Sequence, residues 1–155
     1  MLIHWDQQPH VMLSDNNDSW EWSPEDLAVN PPWRSLWITQ VDGRDVGVIQ
    51  IIDPEQEDTH YWGQMPPNQR ALDIWIGEAS DLGHGYGTEF MKMALAYCFS
   101  DQEVEAVWVD PLESNRRVHP FYESLGFSYV EHRWFDQDFC RIFRIDRSTY
   151  LSYHG

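Results

Sequence analysis

The stretch Leu82-Gly83-His84-Gly85-Tyr86-Gly87-Thr88 places the strongest constraint on the fold, because it joins a strand-like run, Ala71 to Gly77, to a helix-like run from Thr88 to Ser100. Glycines have no Cβ, so the backbone can turn tightly and aim several N–H groups at one point, where the positive end of the helix macrodipole adds its share. A strand, a glycine turn and a helix start in that order make an anion site suited to a pyrophosphate. The spacing is G-x-G-x-G, so neither the dinucleotide fingerprint G-x-G-x-x-G nor a P-loop with its Lys-Ser/Thr pair is matched.

The rest of the chain reads as a mixed α/β order within one domain spanning residues 1–155, without internal repeats. Trp33 to Val41 and Val46 to Asp53 are β-type runs joined by the turn sequence Asp42-Gly43-Arg44-Asp45. In Ala71 to Gly77, Leu72, Ile74 and Ile76 share one face while Asp73 and Trp75 share the other. The helix Thr88 to Ser100 is apolar on more than one side, which suits packing against a sheet. Glu105 to Asp110 alternates and ends at Pro111. Ser114 and Asn115 read as N-cap residues of a helix reaching Leu125, with Gly126 as its stop; Pro120 predicts a kink or an irregular first turn there. Tyr129 to Arg133 and Phe139 to Asp146 are a last strand pair.

Composition narrows the partners. With 26 acidic residues against 10 Lys and Arg, the formal charge of −16 repels phosphate backbones and anionic lipid, so neither nucleic acid nor a membrane is expected. Cationic partners are favoured, although acidity spread along the chain also serves solubility. No run of about 20 apolar residues and no basic-then-apolar leader is found, which predicts a cytoplasmic protein. Cys98 and Cys140 are not in C-x-x-C spacing and read as buried reduced thiols; the seven His are scattered, so no metal is expected. Pro54 to Gln69, with Tyr61 and Trp62 among several acids, is long enough to be either a functional lid over a cationic substrate or plain surface.

The glycine loop resembles the acyl-CoA loop of the GNAT N-acetyltransferase superfamily, whose pattern is Arg or Gln, two residues, Gly, one residue, then Gly or Ala. Gly85 and Gly87 fill the last two places, and Leu82 stands where Arg or Gln is usual. The resemblance extends from about Trp33 to Arg147. It includes Asp110-Pro111 with Ser114-Asn115, then Phe121-Tyr122-Glu123 and Leu125-Gly126-Phe127. Within the superfamily, the Leu72-Asp73 strand, the loop and the Asp110 to Asn115 turn are most similar to the aminoglycoside 6'-N-acetyltransferase branch. The implied fold is α/β: a central mixed, mostly antiparallel sheet flanked by helices. Leu2 to Val11 resembles the end of that fold's first helix, so its first strand is expected to be missing or atypical. The strand near Trp33 would then have an open edge, covered by a second subunit or by Trp20, Trp22, Trp33 and Trp37, which read more simply as ordinary core aromatics; a homodimer is the expectation.

What the resemblance implies is acetyl transfer from acetyl-CoA to a primary amine of a small cationic acceptor. The alternatives are a GNAT acting on a protein or peptide amino group, and a non-catalytic acyl-CoA-binding module. The cofactor would lie on Leu82, Gly83, His84, Gly85, Tyr86, Gly87 and Thr88, with Asn115 on its arm and the backbone of Trp75 and Ile76 beside it as an added strand. Asp73 and Asp110 match the branch's acidic positions; Tyr61 and Trp62 join them around the acceptor. Asp73 is the main candidate base, since an acid between Leu72 and Ile74 is costly to bury without a task. Asp110 also suits a turn, and Glu78 is an alternative base. Tyr122 matches the tyrosine that protonates the departing thiolate; by helix pattern alone it is a core aromatic.

Overall fold

In a computed structural model, residues 31–154 are described, so the readings on Leu2 to Val11, Trp20 and Trp22 lie outside the described residues. The order is β1 (Arg34–Val41), β2 (Arg44–Ile52), β3 (Gln69–Ile76), α1 (Tyr86–Ser100), β4 (Ala106–Val109), α2 (Val118–Ser124), β5 (Ser128–Phe135), β6 (Asp138–Asp146) and α3 (Arg147–His154). One six-stranded sheet runs β1-β2-β3-β4-β6-β5. Among the described residues only β3 and β4 pair in parallel, because α1 crosses over between them; the other pairs are antiparallel. The expected mixed, mostly antiparallel sheet is therefore the one observed.

The β1–β2 hairpin closes on Asp42 and Gly43, both at positive φ (52° and 78°), the backbone that a two-residue Asp-Gly hairpin turn requires. Among the described residues β1 pairs with β2 alone. Strand alternation then sorts side chains to two faces. Val46, Leu72, Val107, Phe143 and Ile145 meet α1 and α2 in the larger core. Ile52, Ala71, Trp62, Leu112, Phe135 and Ile142 form a second core on the opposite face.

Two sequence expectations are corrected. The helix read from Ser114-Asn115 begins at Val118, with Arg117 as its N-cap residue. Starting there puts Pro120 in the first turn, where its missing N–H costs no helical bond; a start at Ser114 would have put it in the interior, against the carbonyl of Arg116. Asn115 instead closes a turn, its N–H donating to the Leu112 carbonyl at 3.0 Å. The second correction is α3, which the alternation of β6 concealed. Asp146 caps it by accepting from the Thr149 N–H at 2.9 Å and the Ser148 hydroxyl at 3.0 Å. Arg147 then donates to the carbonyls of Phe99, Asp101 and Val104, closing the C-terminal end of α1. No helix among the described residues is long and apolar enough to cross a membrane.

Candidate functional site

The parallel ladder between β3 and β4 is short. Gln69, Arg70 and Ala71 lie opposite Ala106, Val107 and Trp108, and the pairing stops there. Beside β2, however, β3 continues to Ile76. The sheet therefore opens between β3 and β4 just past Ala71 and Trp108. Asp73 and Asp110 each lie two residues past that last pair, so both carboxylates stand just beyond the point where the strands part. Parity gives them the face of Ala71 and Trp108, the second core's side.

That face is roofed by the segment between β2 and β3, which is packed rather than loose. Trp62 is only 3% exposed and lies against Trp108 and Phe135 at ring distances of 6.1 and 5.5 Å. Tyr61 stacks on Phe135 at 4.4 Å, and its hydroxyl donates to Asp110 Oδ2 at 2.6 Å. Glu57 braces the segment from within, accepting from the Tyr61 N–H at 3.2 Å and from the Thr59 hydroxyl. The acids and aromatics around the opening thus come from four places in the chain.

Gln50, the β2 partner of Asp73, donates its Nε2 to Asp73 Oδ2 at 3.3 Å. Asp73 keeps some accessible surface, yet protein surrounds it closely enough that loss of hydration pushes its pKa up to about 6; the Gln50 hydrogen bond acts in the opposite sense. Burial likewise raises the Tyr61 phenol, with the charge and hydrogen bond of Asp110 adding to the effect. From the helical side, α2 delivers Tyr122, buried against Phe127 and Phe143. Its phenol is pushed upward by burial first, then by the charges of Asp73 and Asp110. Tyr61, Asp73, Asp110 and Tyr122 are therefore within electrostatic reach of one another across the opening, as their sequence spacing alone does not show.

The turn carrying Asp110 is held on three sides. Pro111 and Phe139 carbonyls join it to β6 through the Arg141 and Glu113 N–H groups, both at 2.9 Å. Arg141 grips Glu113 in a two-pronged ion pair at 2.8 and 2.9 Å, holding its carboxyl below the usual carboxylate range. Beneath the turn, the buried His119 ring contacts the Leu112 carbonyl through Nε2 at 3.1 Å. Sequence reading missed Gln50, His119, Trp108 and Phe135. Gln50 had a signal, a polar residue inside the apolar run Val46 to Ile52; Trp108 read as an ordinary strand residue, and Phe135 fell between the two strand runs Tyr129 to Arg133 and Phe139 to Asp146.

The glycine loop lies at the start of α1. Gly83 and Gly85 adopt φ of 78° and 77°, backbone that other residues rarely tolerate, and the space where a Cβ would stand is empty at both. No side chain caps α1, whose first N–H groups belong to Tyr86, Gly87 and Thr88. An uncapped helix start behind an open glycine cradle fits a phosphate-bearing cofactor. Leu82 is 45% exposed, and His84 stacks on Tyr86 at 5.4 Å while its Nε2 contacts the Ser80 carbonyl. Gly87 abuts Phe121 of α2, 3.7 Å from where its Cβ would be, so loop and α2 are neighbours. Asn115 sits in the turn just before α2. The alternative base Glu78 follows β3 beyond the opening, two residues after Ile76.

The sequence profile described as acetyltransferase (GNAT) domain matches residues 1–135. The chain belongs to the GNAT acetyltransferase family. This GNAT domain is 30% identical over 92 residues to an aminoglycoside N(6')-acetyltransferase type 1 of Klebsiella pneumoniae, covering 59% of this chain and 46% of that protein. The chain spans about half the length of the curated relatives it matches. Its fold is similar to that of aminoglycoside acetyltransferase AAC(6')-Ib in complex with coenzyme A and kanamycin, with a TM-score of 0.84 and 22% identity over 100% of this chain and 92% of that one. It is also similar to spermidine N-acetyltransferase from Vibrio cholerae in complex with CoA and spermine, with a TM-score of 0.74 and 15% identity over 97% of this chain and 89% of that one. At these identities the structural likeness is one of fold.

Proposed function

We propose that this GNAT domain transfers an acetyl group from acetyl-CoA to a primary amine of a small cationic acceptor, of aminoglycoside or polyamine type. The observation that carries the reading is that Asp73 and Asp110 each lie two residues beyond the last paired level of β3 and β4, and that the charges of both reach Tyr122 on α2. The relative that acts on aminoglycosides and the fold neighbour crystallised with spermine support a polycationic acceptor. The two buried free cysteines, Cys98 and Cys140, suit a reducing compartment and hence the cytoplasm.

Acetyl-CoA, held by the Gly83 to Thr88 loop and Asn115, would supply an activated thioester. The chain's own residues do the rest. An alkyl amine of pKa ~10.4 is neutral in only roughly one molecule in a few thousand at pH 7, so the site must remove a proton. Asp110 and Asp73 attract the ammonium, and the Tyr61–Asp110 hydrogen bond fixes one carboxylate while leaving Asp73 to accept the proton. Because burial holds Asp73 near 6, it is ionised at neutral pH and yet a far better base than an exposed aspartate. The Tyr122 phenol, whose pKa lies above its ordinary value, stays protonated and can donate to the departing sulfur. Beside them, the backbone near Trp75 to Gly77 supplies the edge along which the cofactor arm lies.

The test is release of CoA thiol from acetyl-CoA in the presence of aminoglycosides, polyamines and lysine-bearing peptides. Saturable release with the small polycations is expected. Release with peptides alone would replace the acceptor class, and saturable CoA binding without release on any amine would leave a binding module.

A further inference from the structure

β5 lies at one edge of the sheet, and among the described residues it pairs with β6 alone. Such an edge presents a row of main-chain N–H and C=O groups that a further strand can take up. Two of its apolar side chains are open to solvent, Trp134 at 65% and Val130 at 42% exposure. Between them stand two opposite charges. Glu131 and Arg133 pair with Ile142 and Cys140 of β6, which belong to the second core, so both charges stand on that face. Arg44, Arg70, Lys92 and Arg141 each hold a carboxylate, but among the described residues neither Glu131 nor Arg133 is in an ion pair.

Geometry and charge together select one register. Hydrogen-bonding direction alternates along a strand, and antiparallel partners must turn their N–H and C=O groups towards each other. If β5 pairs with a second β5 about a two-fold axis, a residue therefore lies on that axis. Glu131 on the axis would face the partner's Glu131, and Arg133 on the axis would face the partner's Arg133; like charges directly opposite destabilise a sheet. His132 on the axis instead sets Glu131 opposite the partner's Arg133, twice by symmetry. Moving the axis further along the strand leaves both charges unpaired. The register centred on His132 also sets Trp134 opposite the partner's Val130, which removes exposed apolar surface at two places.

We infer that this edge docks a second copy of this chain, β5 antiparallel to β5, with His132 on the two-fold axis. Pairing uses up both β5 edges, so the contact closes at two subunits. It lies at the opposite edge of the sheet from β1, where the sequence reading places a second subunit. The seam adjoins the opening between β3 and β4: Arg133 lies over the Phe135 ring at 5.2 Å, and Tyr61 stacks on that ring. A short strand pairing with two apolar contacts is a small interface, so self-association is expected at micromolar rather than nanomolar concentration.

Sedimentation equilibrium of the wild type, of Glu131→Arg, of Arg133→Glu and of an equimolar mixture of the two variants tests it, over roughly 1 to 300 μM protein. The wild type should pass from monomer to dimer within that range. Either variant alone puts like charges opposite each other twice, which should weaken self-association at least roughly 10-fold. Mixing them restores the dimer, because one subunit then carries two positive charges at these positions and the other two negative ones. Glu131 is exposed, so Glu131→Arg is expected to keep the wild-type melting temperature. A wild type that stays monomeric, a dimer that Glu131→Arg leaves intact, or a mixture of folded variants no more dimeric than either alone overturns the inference. If Arg133→Glu does not fold, Trp134→Ser takes its place, and wild-type dimerisation of that variant also overturns it. None of these outcomes bears on the acetyl-CoA reading.

Discussion

Replacing Asp73 by Asn lowers the rate of acetyl transfer roughly 10²- to 10⁴-fold while leaving acetyl-CoA binding nearly unchanged. Asn keeps the shape and the contact with Gln50 but loses charge and basicity. If Asp73 only anchored the ammonium, the loss would appear in KM and shrink at high acceptor concentration. The same substitution should stabilise the fold. A carboxyl raised from 3.8 to about 6 by burial contributes fully below pH 4, where it is protonated in both folded and unfolded chains. That contribution is lost as pH rises through 6, because the folded protein must then hold a poorly hydrated charge. At neutral pH, Asp73→Asn is thus expected to raise stability by about 1–3 kcal/mol, and thermal unfolding at pH 7.5 against pH 4 reads it. A variant that is less active and more stable is the signature of a group buried for function. In the wild type, kcat/KM should fall as pH drops below about 6, where Asp73 takes up its own proton. Full activity in D73N would move the base to Glu78 or Asp110.

Tyr122→Phe removes one oxygen from a ring that packs on Phe127 and Phe143. No side chain among the described residues is hydrogen-bonded to that hydroxyl, so the melting temperature should hardly move. If the phenol donates its proton to the departing sulfur, kcat falls by roughly 10² or more with KM for the acceptor little changed. Single-turnover acetyl transfer measured with Y122F separates this from slow product release. Wild-type turnover by the folded variant would return Tyr122 to the core aromatic that its helix pattern suggests.

Much of the architecture was legible because its signals are local. Asp42-Gly43 marks a hairpin, Pro111 ends β4, and alternation in β3 separates Leu72 and Ile74 from Asp73 and Trp75. The glycine loop was legible for the same reason, since positive φ at Gly83 and Gly85 is a backbone requirement written in residue type. What stayed hidden is set by pairing between distant segments. The point at which β3 and β4 part, and so the placing of Asp73 and Asp110 just beyond it, is a register that neither strand encodes alone. Tyr61 reads as an aromatic in a long loop until Phe135 is beneath it, 74 positions later in the chain and 4.4 Å away. The false start of α2 has a simpler origin: Ser114-Asn115 has good capping chemistry, but the cost of Pro120 inside a helix outweighs the gain from a cap.

The central claim is that the opening between β3 and β4 is where amine and thioester meet, and a crystal structure of the protein with CoA and a polyamine tests it most directly. The account predicts an amine nitrogen about 3 Å from the Asp73 carboxylate and the CoA sulfur beside the Tyr122 hydroxyl. An amine bound away from Asp73 and Asp110, or a sulfur outside the opening, would contradict it.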